Sequence, residues 1–225
     1  MRQLYELAAA DETLRFSPYC WRVKLALAHK NLAYETVPWH FTDKAAIAFS
    51  GQDKVPVLVD GGQVITDSQA IAEYLDEVYP HEPALFGDAT AQALTLFIKN
   101  WVEIVLHPAI AHVILPDVHA HLSPADQAYF RESRERRFGR TLEDIAQNRP
   151  AAEAALHTAL APFRAVLRQQ NFVSGAAPAY ADHIMFGALQ WACLCTRTAL
   201  LEPHDPVRRW MHAVLATYGL ETSVN

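Results

Sequence analysis

Strand-like and helix-like patterns are segregated along this chain, and one short stretch divides them. Tyr79 to Asp88 holds Pro80, Pro83 and Gly87, residues that interrupt both kinds of element. Before it, apolar alternation and helical spacing take turns. After it, every segment reads as helix. A single continuous sheet is thereby excluded, and two units are expected: an α/β one over 1–80 and an all-α one over 89–225.

Within the first unit, Gln3 to Leu7 is a strand candidate, followed by a loop to Phe16. Ser17 is a preferred N-cap residue, and Pro18 falls at the first helical position, where its missing N–H costs nothing. Trp21, Val23, Ala26 and Leu27 then include i, i+3 and i+4 spacings, and no breaker appears before Asn31. The Ser17 hydroxyl therefore stands at the positive end of a helix, where an anion such as a thiolate is favoured. An ordinary cap explains the same residue equally well.

Ala33 to Val37 reads as a second strand. Pro38 to Lys54 is connecting chain with a helical turn over Asp43 to Phe49. Val57 to Ile65 is two strands joined through Gly61-Gly62. Ser68 is expected to cap a helix whose buried face is Ala70, Ile71, Tyr74, Leu75 and Val78. Val55-Pro56 precedes the hairpin and is a candidate cis bond. The order β-α-β, loop, β-β-α is a thioredoxin-like layout.

The 225 residues carry a formal net charge of -6, which suggests no nucleic-acid partner. The N-terminus has no long apolar core of a signal peptide, and no stretch is expected to reach a membrane span. Three cysteines argue against a disulfide framework and suit a reducing cytoplasm. Beyond the linker, Ala91 to Leu115 is a long apolar helix with a bend expected at Pro108. Ser123-Pro124 opens the next, and further helices are expected over Pro150 to Gln170, Tyr180 to Ala199 and Val207 to Tyr218. His107, His112, His119 and His121 are not at ligand spacing, so no metal is expected. The arginines from Arg131 to Arg140 alternate with Glu132, Glu135 and Glu143, which reads as a solvated, salt-bridged face. Cys193 and Cys195 read as buried packing.

The layout, together with three motifs, resembles the glutathione transferase family. Ser17-Pro18-Tyr19-Cys20 looks like the Cys-Pro-Tyr-Cys of glutaredoxins with serine in place of the first cysteine, the pattern of serine-type transferases. Val55-Pro56 is similar to the family's cis-proline element, and Thr66-Asp67-Ser68-Gln69-Ala70-Ile71 to its acidic-Ser motif. Ser-Pro-Tyr-X-Trp-Arg at residues 17 to 22, Phe41-Thr42 in the loop between Val37-Pro38 and Val55-Pro56, and Tyr129 to Gly139 are most similar to bacterial lignin β-etherases and related fungal transferases. Two departures stand out. Ala179 occupies the position where most members carry Ser or Thr, so the cap of the helix opened by Asp182 is expected to rely on Asp182 alone or on backbone and water, with a weaker start. Asp67 stands where many carry Glu.

The resemblance implies an α/β thioredoxin-like N-terminal domain plus an all-α C-terminal domain, glutathione as co-substrate, a homodimer, and Ser17 as the catalytic hydrogen-bond donor to sulfur. It places Tyr19, Lys44, Lys54, Val55, Pro56, Asp67 and Ser68 around glutathione. Asp67 would face its α-ammonium, Ser68 its γ-glutamyl carboxylate and the Val55 backbone its cysteinyl part. Lys54, ahead of Lys44 and of His40 behind them, would take the glycine carboxylate. Tyr19, Trp39, Trp101, Val105 and His107 are candidate walls for a hydrophobic, aromatic second substrate between the domains. Three functions follow: thiolate attack on an aromatic electrophile, in one form the cleavage of a β-aryl ether; disulfide exchange through Cys20; and non-catalytic binding of aromatic ligands.

Overall fold

The computed structural model describes residues 1–221; the last four residues of the 89–225 unit lie outside them. Strand β1 (Arg2–Leu7) pairs in parallel with β2 (Tyr34–Trp39) and antiparallel with β3 (Val57–Asp60), and β3 pairs antiparallel with β4 (Gln63–Thr66). The sheet order is β2-β1-β3-β4. Strand β2 runs through Pro38 to Trp39, two residues beyond the expected end. It lies at the sheet edge, where a proline's missing donor breaks no inner ladder. Gly61 and Gly62 turn the hairpin at φ of 56° and 91°, a region that glycine enters without steric cost.

Helix α1 (Pro18–His29) starts where expected, with Ser17 as N-cap. A 3-10 turn covers Ala45–Ser50, and Val55-Pro56 is cis. The cap of α2 (Ser68–Val78) corrects the sequence reading. It is Asp67, at φ 71°, whose Oδ1 accepts the Gln69 and Ala70 N–H groups at 2.9 and 3.2 Å. Ser68 is the first helical residue and is free of capping duty. The buried face of α2 is Ile71, Ala72 and Leu75, while Ala70 and Val78 are exposed.

The second unit is helical among the described residues. Helix α3 (Ala89–Trp101) runs into a π-helical segment (Val102–Leu106) and then into α4 (His107–His121). Pro108 has no N–H for the α-helical ladder and its ring crowds the preceding turn, so the wider π turn sits immediately before it. The helix thus continues to His121 instead of stopping near Leu115. At 33 residues, with a mean hydropathy of 1.3 in its most apolar window, it is long and apolar enough to cross a membrane by length and composition. The expectation that no stretch reaches that measure does not hold. Half of the window is buried inside the fold: Ile110, Ala111, Ile114 and Val118 belong to the core.

Helices α5 (Pro124–Phe138), α6 (Leu142–Gln147), α7 (Arg149–Ala159) and α8 (Ala161–Leu167) follow. The single helix expected over 150–170 is divided at Leu160, whose N–H bonds to Leu156 and whose carbonyl opens α8 before Pro162. Helix α9 (Tyr180–Cys195) is buried on almost every side and packs along α1, and α10 (Pro206–Thr217) closes the bundle. The start of α9 is not weak. Asp182, fully buried, accepts the N–H groups of Val173, Ser174 and Ala179 and the Trp210 indole N–H, at 2.8, 3.0, 3.3 and 2.9 Å. The Asp182 N–H, which a hydroxyl at 179 would have accepted, donates to the Ala179 carbonyl at 2.9 Å, and the carboxylate ties α9 to α10.

Candidate active site

A cavity of about 650 Å³ opens between the two domains. One side is built by the thioredoxin-like domain: the starts of α1 and α2, the cis Val55-Pro56 and the loop after β2. The helical domain supplies the other: α4, α5 and Trp191 of α9. Three polar ties hold the walls in register. Arg22 Nη1 meets Glu103 Oε1 at 3.0 Å, the Tyr180 hydroxyl donates to the Ser68 carbonyl at 2.6 Å, and the Thr42 N–H and hydroxyl both donate to Asp126 Oδ1 at 2.9 and 2.8 Å.

All eight residues assigned around glutathione line this one cavity: Ser17, Tyr19, Lys44, Lys54, Val55, Pro56, Asp67 and Ser68. Ser17 is 5% exposed, and its Oγ accepts the Cys20 N–H at 3.3 Å. A serine oxygen accepts through its lone pairs and keeps a rotatable O–H donor. Capping α1 and donating to an anion are therefore compatible roles for the same hydroxyl. Asp67 commits one carboxylate oxygen to its helix. Ser68 Oγ is buried without a partner, which leaves an unsatisfied hydroxyl in the cavity wall at the positive end of α2.

The two lysines differ. Lys44 donates to the Asp53 carbonyl at 2.6 Å and lies over the Trp39 and Tyr129 rings, 4.9 and 5.1 Å from their centroids. Lys54 is exposed at the rim and makes no hydrogen bond or ion pair among the described residues, so it is the freer cation. His40 does not reach the cavity. It lies between Glu12 and Asp126, at 3.3 and 3.7 Å.

Cys20 is buried beneath Ser17, and burial, reinforced by Glu6, pushes its thiol up to about 12. A thiolate is thus unavailable there at neutral pH. Among the described residues no three His, Cys, Asp or Glu side chains cluster as metal ligands.

Of the expected walls for a second substrate, Tyr19, Trp39 and His107 line the cavity, whereas Trp101 and Val105 do not. Trp101 packs against the core and Val105 is 41% exposed; the π segment shifts the helical phase that spacing alone assigned to them. The sequence reading missed Phe41, Tyr129, Phe138, Trp191, Arg134 and Arg137. Trp191 lies two residues before Cys193 on an apolar helix, and nothing local distinguishes it from the core around it. His107 Nδ1 is 3.5 Å from the Tyr19 hydroxyl, and its ring meets both Tyr19 and Trp191 edge-on. Burial first, then the Arg22 and Arg137 charges, lower its imidazole to about 3, so it is neutral near pH 7. Its Nε2 is buried without a partner.

Residues 13–83 match the family model described as glutathione S-transferase, N-terminal domain, and residues 93–216 that of glutathione S-transferase, C-terminal domain. The chain is 27% identical over 201 residues to a probable glutathione S-transferase, GSTU6, of Oryza sativa, covering 85% of this chain and 75% of that protein. It is 38% identical over 91 residues to a probable maleylacetoacetate isomerase of Caenorhabditis elegans, a match that spans 37% of this chain and 42% of its relative. In structure it is similar to the glutathione transferase GSTFuA3 of Phanerochaete chrysosporium, with a TM-score of 0.87, 23% identity and 99% and 98% of the two chains covered. Similar too is CsGST63524 of Ceriporiopsis subvermispora, solved in complex with glutathione, with a TM-score of 0.79, 25% identity and 97% and 96% covered. With one model matching more than half of its length and a second matching most of the remainder, the chain belongs to the glutathione S-transferase family.

Proposed function

We propose that the cavity binds glutathione along its thioredoxin-like wall, ionises its thiol at Ser17, and directs the thiolate at a flat aromatic electrophile held against the helical wall. Glutathione is the co-substrate. The observation that carries this reading is the convergence on one cavity of two helix N-termini, each with a serine, beside the cis Val55-Pro56 element and the unpaired Lys54. Ser17 donates its O–H to the sulfur anion, and the dipole of α1 adds to the stabilisation. Ser68 and the start of α2 take the γ-glutamyl carboxylate, Asp67 the α-ammonium through its uncommitted oxygen, the Val55 backbone the cysteinyl part, and Lys54 the glycine carboxylate.

Aromatic side chains from both domains suit a planar partner. For a β-aryl ether, the sulfur attacks the carbon that bears the aryloxy group. The C–S bond forms as the C–O bond breaks, and the electron pair leaves on a phenolate that takes a proton from solvent. The burial and high pKa of Cys20 weigh against disulfide exchange there. A reducing cytoplasm suits three buried cysteines. A homodimer is part of the proposal, since Leu94, Phe97 and Ile104 are 62%, 66% and 71% exposed along α3 and the π segment. A solution mass of one 25.2 kDa chain would remove it.

The deciding experiment follows phenol release from a model β-aryl ether and conjugation of a panel of electrophiles, while titrating the thiolate absorbance of bound glutathione. One hydrogen bond to a charged acceptor is worth about 1.5–3 kcal/mol. Ser17→Ala should therefore raise the bound thiol pKa by roughly one to two units and lower kcat about 10- to 100-fold. Cys20→Ala should change neither. Abolished turnover in Cys20→Ala with activity kept in Ser17→Ala would overturn the reading, and no turnover with any electrophile would reduce the protein to a binding module.

A further inference from the structure

The arginines of α5 do not form one solvated face. Arg131 bonds Glu135 and both oxygens of Glu143 at 2.9 Å, and Arg136 pairs with Glu132. Arg134 and Arg137, one helical turn apart on the same helix, instead line the cavity. Neither reaches a carboxylate among the described residues. Arg134 is half-buried, its guanidinium 4.7 Å from the Phe130 ring centroid and 5.4 Å from that of Phe41, and it donates to the Ser133 hydroxyl at 2.9 Å. Arg137 lies over Phe138 at 5.5 Å, and its charge is felt at both Tyr19 and His107.

We propose that Arg134 and Arg137 form an oxyanion subsite for the second substrate, which is accordingly an aromatic electrophile that carries a carboxylate. This deepens the transferase reading and rests on it. Glutathione's own carboxylates have cationic or helix-end partners on the opposite, thioredoxin-like wall, at Lys54 and at the start of α2. The two guanidinium groups belong to the helical wall, beside Phe138 and Trp191, and Phe41 of the thioredoxin-like domain faces them, so that an aromatic body can stack there.

A guanidinium fork matches a carboxylate in two parallel hydrogen bonds. Two like charges held in one wall without a counter-ion repel each other, and an anion between them removes that repulsion. Burial first, and to a lesser extent the Arg137 charge, lowers the pKa of Arg134. The polarity is also opposite to that of the molecule. The chain has a formal net charge of -6, yet the cavity is lined by five cationic side chains and three carboxylates. Two of those carboxylates are already engaged, Asp67 with α2 and Glu103 with Arg22 and Lys99.

The test compares two dyes of similar aromatic body, the anionic 1-anilinonaphthalene-8-sulfonate and the neutral N-phenyl-1-naphthylamine, by fluorescence titration of the whole chain. Neither dye requires turnover. In Arg134→Gln/Arg137→Gln the Kd of the anionic dye should rise roughly tenfold or more, while that of the neutral dye moves by less than about twofold. Arg137→Gln alone, at an exposed position that leaves the Phe41–Phe130 stack intact, should show the same selectivity at smaller size. Arg134→Lys, which keeps the charge but not the fork, should fall between. Equal weakening of both dyes, or no weakening of either, overturns the subsite. A loss of glutathione affinity with anionic-dye binding preserved also overturns it, because the arginines then serve the co-substrate. Failure of the transferase reading itself shows separately, as absent glutathione binding or turnover in the unmodified chain.

Discussion

Ser17 and Ser68 are both serines at helix starts that line the same cavity, and their surroundings set different roles. Ser17 carries out a structural task, accepting the Cys20 N–H, and in the proposed function holds its O–H for the reacting sulfur. Ser68 is relieved of capping by Asp67 and held by Tyr180, and its Oγ is a buried group with no partner. A buried hydroxyl without a partner is destabilising, and an acceptor that takes its O–H removes that cost. Ser68→Ala should therefore weaken glutathione binding by roughly 10-fold, the equivalent of one hydrogen bond to a carboxylate, while the thiol pKa of bound glutathione stays as it was. Calorimetry of glutathione binding and the thiolate titration read the two quantities separately. A shifted thiol pKa with unchanged affinity would place Ser68 at the sulfur, contrary to the assignment. The protein itself should lose nothing in stability, since the substitution removes a buried polar atom that has no partner.

The elements that present these residues depend on one close approach. Gly187 of α9 passes so near the start of α1 that a Cβ there would lie 2.3 Å from the Pro18 carbonyl oxygen and 3.2 Å from its carbon, with Arg22 Cγ at 3.3 Å. The first two neighbours are backbone and cannot turn aside. Gly187→Ala should thus push α9 off the N-terminus of α1, at a cost of about 1–3 kcal/mol typical of overpacking, and should displace Ser17 and the Arg22–Glu103 tie with it. A lower urea midpoint together with reduced turnover is the expected result, and unchanged stability would show that the helices have room to part. Elements such as α1 and the β3–β4 hairpin were legible in the sequence because caps and turns are local chemistry: a serine before a proline, two glycines between apolar runs. Asp67 and Ser68 were not separable that way, since both are cap-forming residues and only the positive φ at Asp67 decides between them. The π segment before Pro108 escaped the periodicity, and with it the true phase of Trp101 and Val105. The sorting of Arg134 and Arg137 from Arg131 and Arg136 depends on where Phe41 and α6 come to rest against α5, which is tertiary information.

At the scale of the whole molecule, the junction of the two domains holds histidines in neutral form. His183, fully buried, lies 2.7 Å from the Tyr218 hydroxyl, and His29 reaches the same hydroxyl at 2.9 Å and the Ala84 carbonyl at 3.0 Å. Burial is the chief cause in each of His29, His107 and His183, and it lowers all three below the ordinary value of 6.5, His107 to about 3 and His183 well below the ordinary value. Below pH 6.5 the unfolded chain takes up protons that the folded chain refuses, so stability rises with pH through that window and is lost as pH falls. For His107 alone the loss is about 2 kcal/mol at pH 5, from about 1.4 kcal/mol per pH unit below 6.5. Glu6 acts in the opposite direction, because burial outweighs its Lys24 partner and raises its carboxyl above 4.5; its protonation helps the folded state only toward the acid end. Urea unfolding from pH 7.5 to 5 should show stability level at the top of the range and falling below pH 6.5. His107→Gln should remove about one proton's worth of that slope, since the variant has nothing to titrate at the position. A profile equally steep in the variant and the parent would mean that His107 is protonated in the folded protein. The Arg22 and Arg137 charges beside it would then have to be offset by an anion in the cavity.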